Sequence, residues 1–216
     1  MMKNIIFTGA NGMIGNLILQ MCLKSEQVNH VTSISRRSLG FTHPKLTEVI
    51  HQDFLNFGSI QNHFENQDIC FYCLGVYTGA VSTEEFKRIT VDYTKAFAET
   101  LKQTSPNCSF SFLSGDGADQ KEKSPLLFGK QKGIAENVLI KLNFKRLNIF
   151  QPRYIYPVNP RVEPNMMYRF MRVIHPLAKI IYPNMGCTSV QLANKMFDAA
   201  FNKSDQLIFS NRDIRN

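Results

Sequence analysis

Three glycines, Gly9, Gly12 and Gly15, stand three apart directly after the apolar run Ile5-Ile6-Phe7. Each suits a different job in a phosphate-binding turn. A glycine at 9 lets the chain reverse sharply where a side chain would be strained. One at 12 lets a pyrophosphate reach the backbone, and one at 15 lets the next helix lie close on the strand it has just left. The N–H groups that open such a helix have no partner inside it, so they can bind an anion. The spacing is G-x-x-G-x-x-G, one residue wider than the familiar G-x-G-x-x-G. Its position, between an N-terminal strand and a helix, is what points to a dinucleotide.

Other residues with chemistry to offer lie at the ends of later apolar runs. Ser35-Arg36-Arg37-Ser38 has no acidic residue to accept from ribose hydroxyls, and two guanidiniums that could meet a 2′-phosphate. This favours NADP over NAD, surface arginines being the alternative. Asp53-Phe54 either meets an adenine, Asp53 at its amino group and Phe54 over the ring, or is a turn aspartate beside a core Phe. Leu74-Gly75 would let a ribose pass close to the backbone, with Tyr77 near the nicotinamide end. Ser114 would point its hydroxyl out of the sheet's C-terminal edge. Phe128 and Lys132, four apart, share one helix face. Gly129 and Gly133 in that helix imply a close helix–sheet or helix–helix approach that repays about 1 kcal/mol each.

The elements that must position these residues alternate strand and helix. Strands are expected at 3–8, 30–35, 47–51, 68–74, 108–114 and 147–151. Helices are expected at 13–25, 59–64, 83–103 and 124–143, the last with Ser124 as N-cap and Pro125 at its first position. This is an α/β chain with a doubly wound parallel sheet. After Pro152 the prolines at 157, 160 and 164 break the chain into loops, and helices at 165–181 and 189–201 precede a short strand at 206–210. This tail reads as a small helical lid, 153–216 completing the substrate side of one domain that spans 1–216. Met166, Met167, Phe170 and Tyr182 would line it or pack in the core.

Composition limits the function. No apolar run approaches the roughly 20 residues of a membrane helix. The chain starts with a strand, leaving no room for a signal peptide, so a cytoplasmic location is expected. Cys70 and Cys73 form a C-x-x-C within an apparent strand, where residues three apart face opposite sides, which argues for buried thiols rather than a metal site. The net charge of +8 is spread without a dense run, so it argues for a basic surface and a phosphate-rich cofactor rather than a nucleic-acid partner. A monomer and a homodimer both fit the helices.

With these residues in hand, the chain resembles the atypical short-chain dehydrogenase/reductases, the NAD(P)-binding Rossmann proteins of the NmrA-like and epimerase-like kind. The match runs through Thr8-Gly9-Ala10-Asn11-Gly12-Met13-Ile14-Gly15, Asp53, Cys73-Leu74-Gly75, Leu113-Ser114, the helix bearing Lys132, and Gln151-Pro152-Arg153-Tyr154-Ile155. The resemblance implies that Asn11, Met13 and Ile14 join the glycines at the cofactor. It implies that Pro152 and Ile155 cap the nicotinamide, and that Ser114 and Lys132 are catalytic. The family's Tyr-x-x-x-Lys reads Phe128-Gly129-Lys130-Gln131-Lys132 here, and a phenyl ring exchanges no proton. Tyr77 and Tyr154 are candidate replacements. Two functions follow: hydride transfer between NADP(H) and a small carbonyl or quinone-type substrate, or a non-catalytic dinucleotide-binding regulator that reports redox state.

Overall fold

The computed structural model describes residues 2–158 and 182–216. Seven strands form one sheet in the order β3-β2-β1-β4-β5-β6-β9, and every neighbouring pair is parallel. They are β1 (Lys3–Thr8), β2 (Val28–Ser35), β3 (Leu46–Ile50), β4 (Ile69–Tyr72), β5 (Ser109–Leu113), β6 (Arg146–Gln151) and β9 (Ile208–Ser210). The doubly wound Rossmann-type α/β sheet expected from the sequence is therefore present, with its order reversing between β1 and β4.

A parallel strand covered on both faces needs apolar residues in succession. In β1, Ile5 and Phe7 face one core and Ile6 the other. The first core holds α1 (Met13–Lys24) and α5 (Ser189–Phe201), packed with Phe71, Phe150 and Phe209. α1 offers it a stripe of Ile14, Ile18, Leu19, Cys22 and Leu23. The second core holds α3 (Tyr93–Thr104), α4 (Leu127–Lys141) and the 3₁₀ helix Gly58–Phe64 against Tyr72, Phe110 and Phe112. Cys70 lies in this second core and Cys73 packs against the first, on opposite sides of the sheet.

Three elements differ from the sequence expectation. The helix expected over 83–103 is α2 (Thr83–Lys87), a π turn Arg88–Asp92, and then α3. Within it the Thr94 hydroxyl donates to the Thr90 carbonyl at 2.8 Å, the kind of local bond that competes with the helical ladder. α4 starts at Leu127 rather than Ser124, with Leu126 at its N-cap, because the Ser124 hydroxyl is engaged locally, accepting from Leu126 N–H at 3.2 Å. The tail also contains a two-stranded parallel sheet, β7 (Tyr154–Tyr156) with β8 (Gly186–Thr188), and a final helix α6 (Asn211–Arg215). Ser210 and Asp213 close a capping box on α6.

Candidate cofactor and active site

The turn after β1 is packed to the limit of what glycine allows. Gly9 has φ +82°, and a Cβ there would sit 2.4 Å from the Cys73 carbonyl carbon. A Cβ at Gly15 would sit 2.1 Å from the Gly9 carbonyl oxygen, so α1 rests directly on the turn. Gly12 is the N-cap of α1 and makes no side-chain cap, and no acidic residue occupies the first turn. Its N–H donates to Gly9 O at 2.9 Å, while a Cβ on it would meet only that oxygen, at 3.1 Å. The start of α1 thus combines open space with N–H groups that no cap side chain satisfies. A phosphate fits both. Asn11 ties this turn to the end of β2 by donating to Arg37 O at 3.0 Å. Met13 is half-buried and Ile14 buried against the first core.

Ser35 Oγ also donates to Arg37 O, and Gln52 donates to Arg36 O, so the backbone of the arginine pair is pinned. Both guanidiniums are exposed beside the turn. Asp53 is exposed, with Oδ1 accepting from Leu55 N–H at 3.0 Å. Phe54 corrects one expectation: it is 1% exposed, its ring 5.5 Å from Phe57 and 5.6 Å from Tyr93. It is a core residue and covers no adenine. Past β4, Leu74 is half-buried and Gly75 opens onto free space. Tyr77 lies on the loop that follows.

The end of β5 holds a buried polar cluster. Lys132 is 9% exposed, its Nζ donating to Leu113 O at 3.0 Å and sitting 4.9 Å from the Phe112 ring centre. Burial lowers it from its ordinary 10.5 to about 8, against the opposing pull of Glu136 and Cys73. Glu136, one helical turn further along α4, is fully buried. It accepts from Ser114 Oγ at 2.5 Å, Gln120 Nε2 at 2.8 Å and Gln151 Nε2 at 3.0 and 3.1 Å. The Ser114 hydroxyl, 7% exposed, points at this carboxylate rather than out of the sheet edge. That corrects its expected direction. Glu136 escaped the sequence reading, although Phe128, Lys132 and Glu136 continue one face at steps of four. Phe128 is half-buried, its Cζ seated on Gly115, where a Cβ would come within 2.5 Å.

Gly129 and Gly133 do accommodate a close approach, but by the loop after β5. A Cβ at Gly133 would fall 1.9 Å from Asp119 O, and one at Gly129 2.6 Å from Gly117 O. Pro152 is buried, its carbonyl accepting from Asp116 N–H, and Ile155 is half-buried in β7. Arg153 joins the two loops by an ion pair to Asp116 at 3.1 Å. Met166, Met167, Phe170 and the helix expected over 165–181 lie outside the described residues, and Tyr182 is exposed.

No family model matches the chain. Over 154 residues it is 31% identical to protein HTATIP2 of Rattus norvegicus, covering 69% of this chain and 62% of that protein. It is 27% identical over 148 residues to protein FMP52, mitochondrial, of Candida albicans, covering 67% and 63%. The chain thus spans less than two thirds of the length of these relatives. Among solved structures, yeast methylglyoxal/isovaleraldehyde reductase Gre2 complexed with NADPH superposes with a TM-score of 0.73 at 15% identity, over 96% of this chain and 77% of that one. A short chain dehydrogenase family protein from Francisella tularensis gives 0.68 at 14% identity, over the whole of both chains. These superpositions establish the fold. No described helix is long and apolar enough to cross a membrane.

Proposed function

We propose, for a chain that belongs with the short-chain dehydrogenase/reductase-type Rossmann proteins, that it binds NADP(H) and reduces a small carbonyl or quinone-type substrate. The observation that carries this reading is the uncapped start of α1 on its glycine turn, flanked by Arg36 and Arg37, with Lys132 held at the end of β5, two strands along the same sheet. When bound, the dinucleotide supplies a hydride. The N–H groups at Met13 and Ile14 would hold the pyrophosphate, with Gly12 leaving room for it to approach, and Arg36 with Arg37 a 2′-phosphate. Asp53 would accept from the adenine amino group. Leu74 and Gly75 would flank the ribose, Lys132 would donate to its hydroxyls, and Pro152 and Ile155 would close over the nicotinamide. Tyr77 would reach the substrate from the loop after β4. One domain over 1–216, with 153–216 completing the substrate side, is part of this reading.

The second reading, a non-catalytic dinucleotide-binding regulator, is favoured by Phe128 and by the engagement of Ser114 with Glu136. Titration with NADPH and NADH, followed by turnover on a panel of aldehydes and quinones, separates the two. Saturable binding with turnover above the protein-free rate supports the reductase. Binding without turnover supports the regulator, and no saturable signal at millimolar cofactor removes both. We take the compartment as the cytoplasm. The fungal relative's name points instead to mitochondria, and cell fractionation decides between them.

A further inference from the structure

The reductase reading leaves the substrate oxygen without an acid, because Phe128 occupies the position of the usual tyrosine. It also leaves a fully buried carboxylate, Glu136, without a task. The two belong together. Phe128, Lys132 and Glu136 form one face of α4, which meets the C-terminal end of β5. Glu136 is fixed there by Ser114, Gln120 and Gln151, three donors from three separate segments. Fixing a fully buried carboxylate beside a buried lysine costs desolvation, which the three donors and the opposite charge offset. We propose that Lys132 Nζ is the proton donor to the substrate oxygen, in place of the hydroxyl that Phe128 lacks, and that Glu136 is the positioning residue that sets the charge on Lys132. This rests on the reductase reading.

The ammonium has three protons. One goes to Leu113 O, leaving two for the ribose and the substrate. In the reduction, the carbonyl carbon gains a hydride from a reduced nicotinamide dinucleotide, and the C=O π pair moves to oxygen. That oxygen takes a proton from Nζ. Lys132 is left as a neutral amine and regains its proton from water. An ammonium near 8 suits this transfer, since an acid works best with its pKa near the working pH. The groups that act on it are Glu136 on its own helix and Cys73 at the end of β4. β5 presents the Leu113 carbonyl and the Phe112 ring to it. The π turn packed on α4 carries Arg88 and Asp92, and neither acts on Lys132.

The test joins a titration in the free protein to kinetics. In protein carrying ¹⁵N-labelled lysine, one Nζ signal should titrate near pH 8 and vanish in Lys132→Arg. Arginine keeps the charge and cannot release its proton in this range. At saturating NADPH, Lys132→Arg should lose roughly 10²–10⁴-fold in reduction rate at pH 7. Wild-type reduction should fall as pH rises through 8, and alcohol oxidation should rise. Glu136→Gln should move that midpoint to lower pH by about one unit, whereas a purely structural role would leave it in place. A Lys132 midpoint near 10.5, or Lys132→Arg with a wild-type rate and profile, overturns the assignment and leaves the reductase reading intact. NADPH binding without turnover overturns it too and leaves the regulator. Absence of NADPH binding removes the underlying function instead.

Discussion

Gly12 and Gly15 stand three residues apart in the same turn, yet the structure gives them separable roles. A methyl group at Gly15 would fall 2.1 Å from Gly9 O and 2.8 Å from Gly9 C, both backbone atoms with nowhere to move. Restoring normal contact requires α1 to retreat by about 1 Å. Such overpacking costs about 1–3 kcal/mol. At about 2–4 °C per kcal/mol for a chain of this length, Gly15→Ala should lower Tm by about 2–12 °C. The retreat also pulls apart the Gly12 N–H to Gly9 O bond. Gly12→Ala is different. Its methyl meets only Gly9 O, at 3.1 Å, its φ of −82° suits any residue, and the rest of its surroundings are open. Stability should therefore change by less than about 1 kcal/mol. The methyl would fill the space expected to take a phosphate. Losing one charge-assisted bond there, worth about 1.5–3 kcal/mol, weakens NADPH binding about 10- to 100-fold. Thermal scans and NADPH fluorescence titrations on both variants measure the two effects. A Gly12→Ala protein with normal Tm and unchanged affinity would show that the phosphates do not sit at this turn.

Other expected outcomes concern single side chains. Arg36→Ala should weaken NADPH more than NADH in equilibrium titrations, because only NADPH has the 2′-phosphate that an exposed guanidinium can meet; equal losses would contradict that role. Phe128→Tyr should raise carbonyl reduction, measured by NADPH consumption, since it places a hydroxyl on the Lys132 face; a rate at or below wild type would mean that the substrate does not approach this face. Stability should depend on pH through Lys132, whose ordinary 10.5 is lowered to about 8 by burial. The folded protein then binds fewer protons than the unfolded chain between those values, so the burial penalty is complete below pH 8 and fades as pH rises towards 10.5. Lys132→Met carries no such proton, and its stability relative to wild type should decline by about 3 kcal/mol between pH 7 and 11. Denaturant unfolding at the two values checks this, and a constant difference would mean that Lys132 titrates normally when folded.

What the sequence made legible is what the backbone alone dictates. The glycine turn is readable because Gly9 and Gly15 meet main-chain atoms, so only glycine fits whatever the neighbouring side chains are. The start of the helix over Ser189–Phe201 is marked locally, because Thr188 and Gln191 cap it within the same turn. What stayed hidden depends on partners distant in the chain. Ser114 sits at the sheet edge where the strand pattern puts it, but its hydroxyl direction is decided by Glu136, 22 residues on, and by Gln151 beyond that. The burial of Lys132 follows from which face of α4 meets β5, and the polar character of that face disguises it. Phe54 stayed open between two readings because an aromatic at a strand end looks the same from the sequence whether it covers a ligand or joins Phe57 and Tyr93. Local rules therefore find a site whose geometry is main chain, and miss the part held together by side chains from separate segments. In this chain that part is the Lys132–Glu136–Ser114 cluster, the one on which proton transfer would depend.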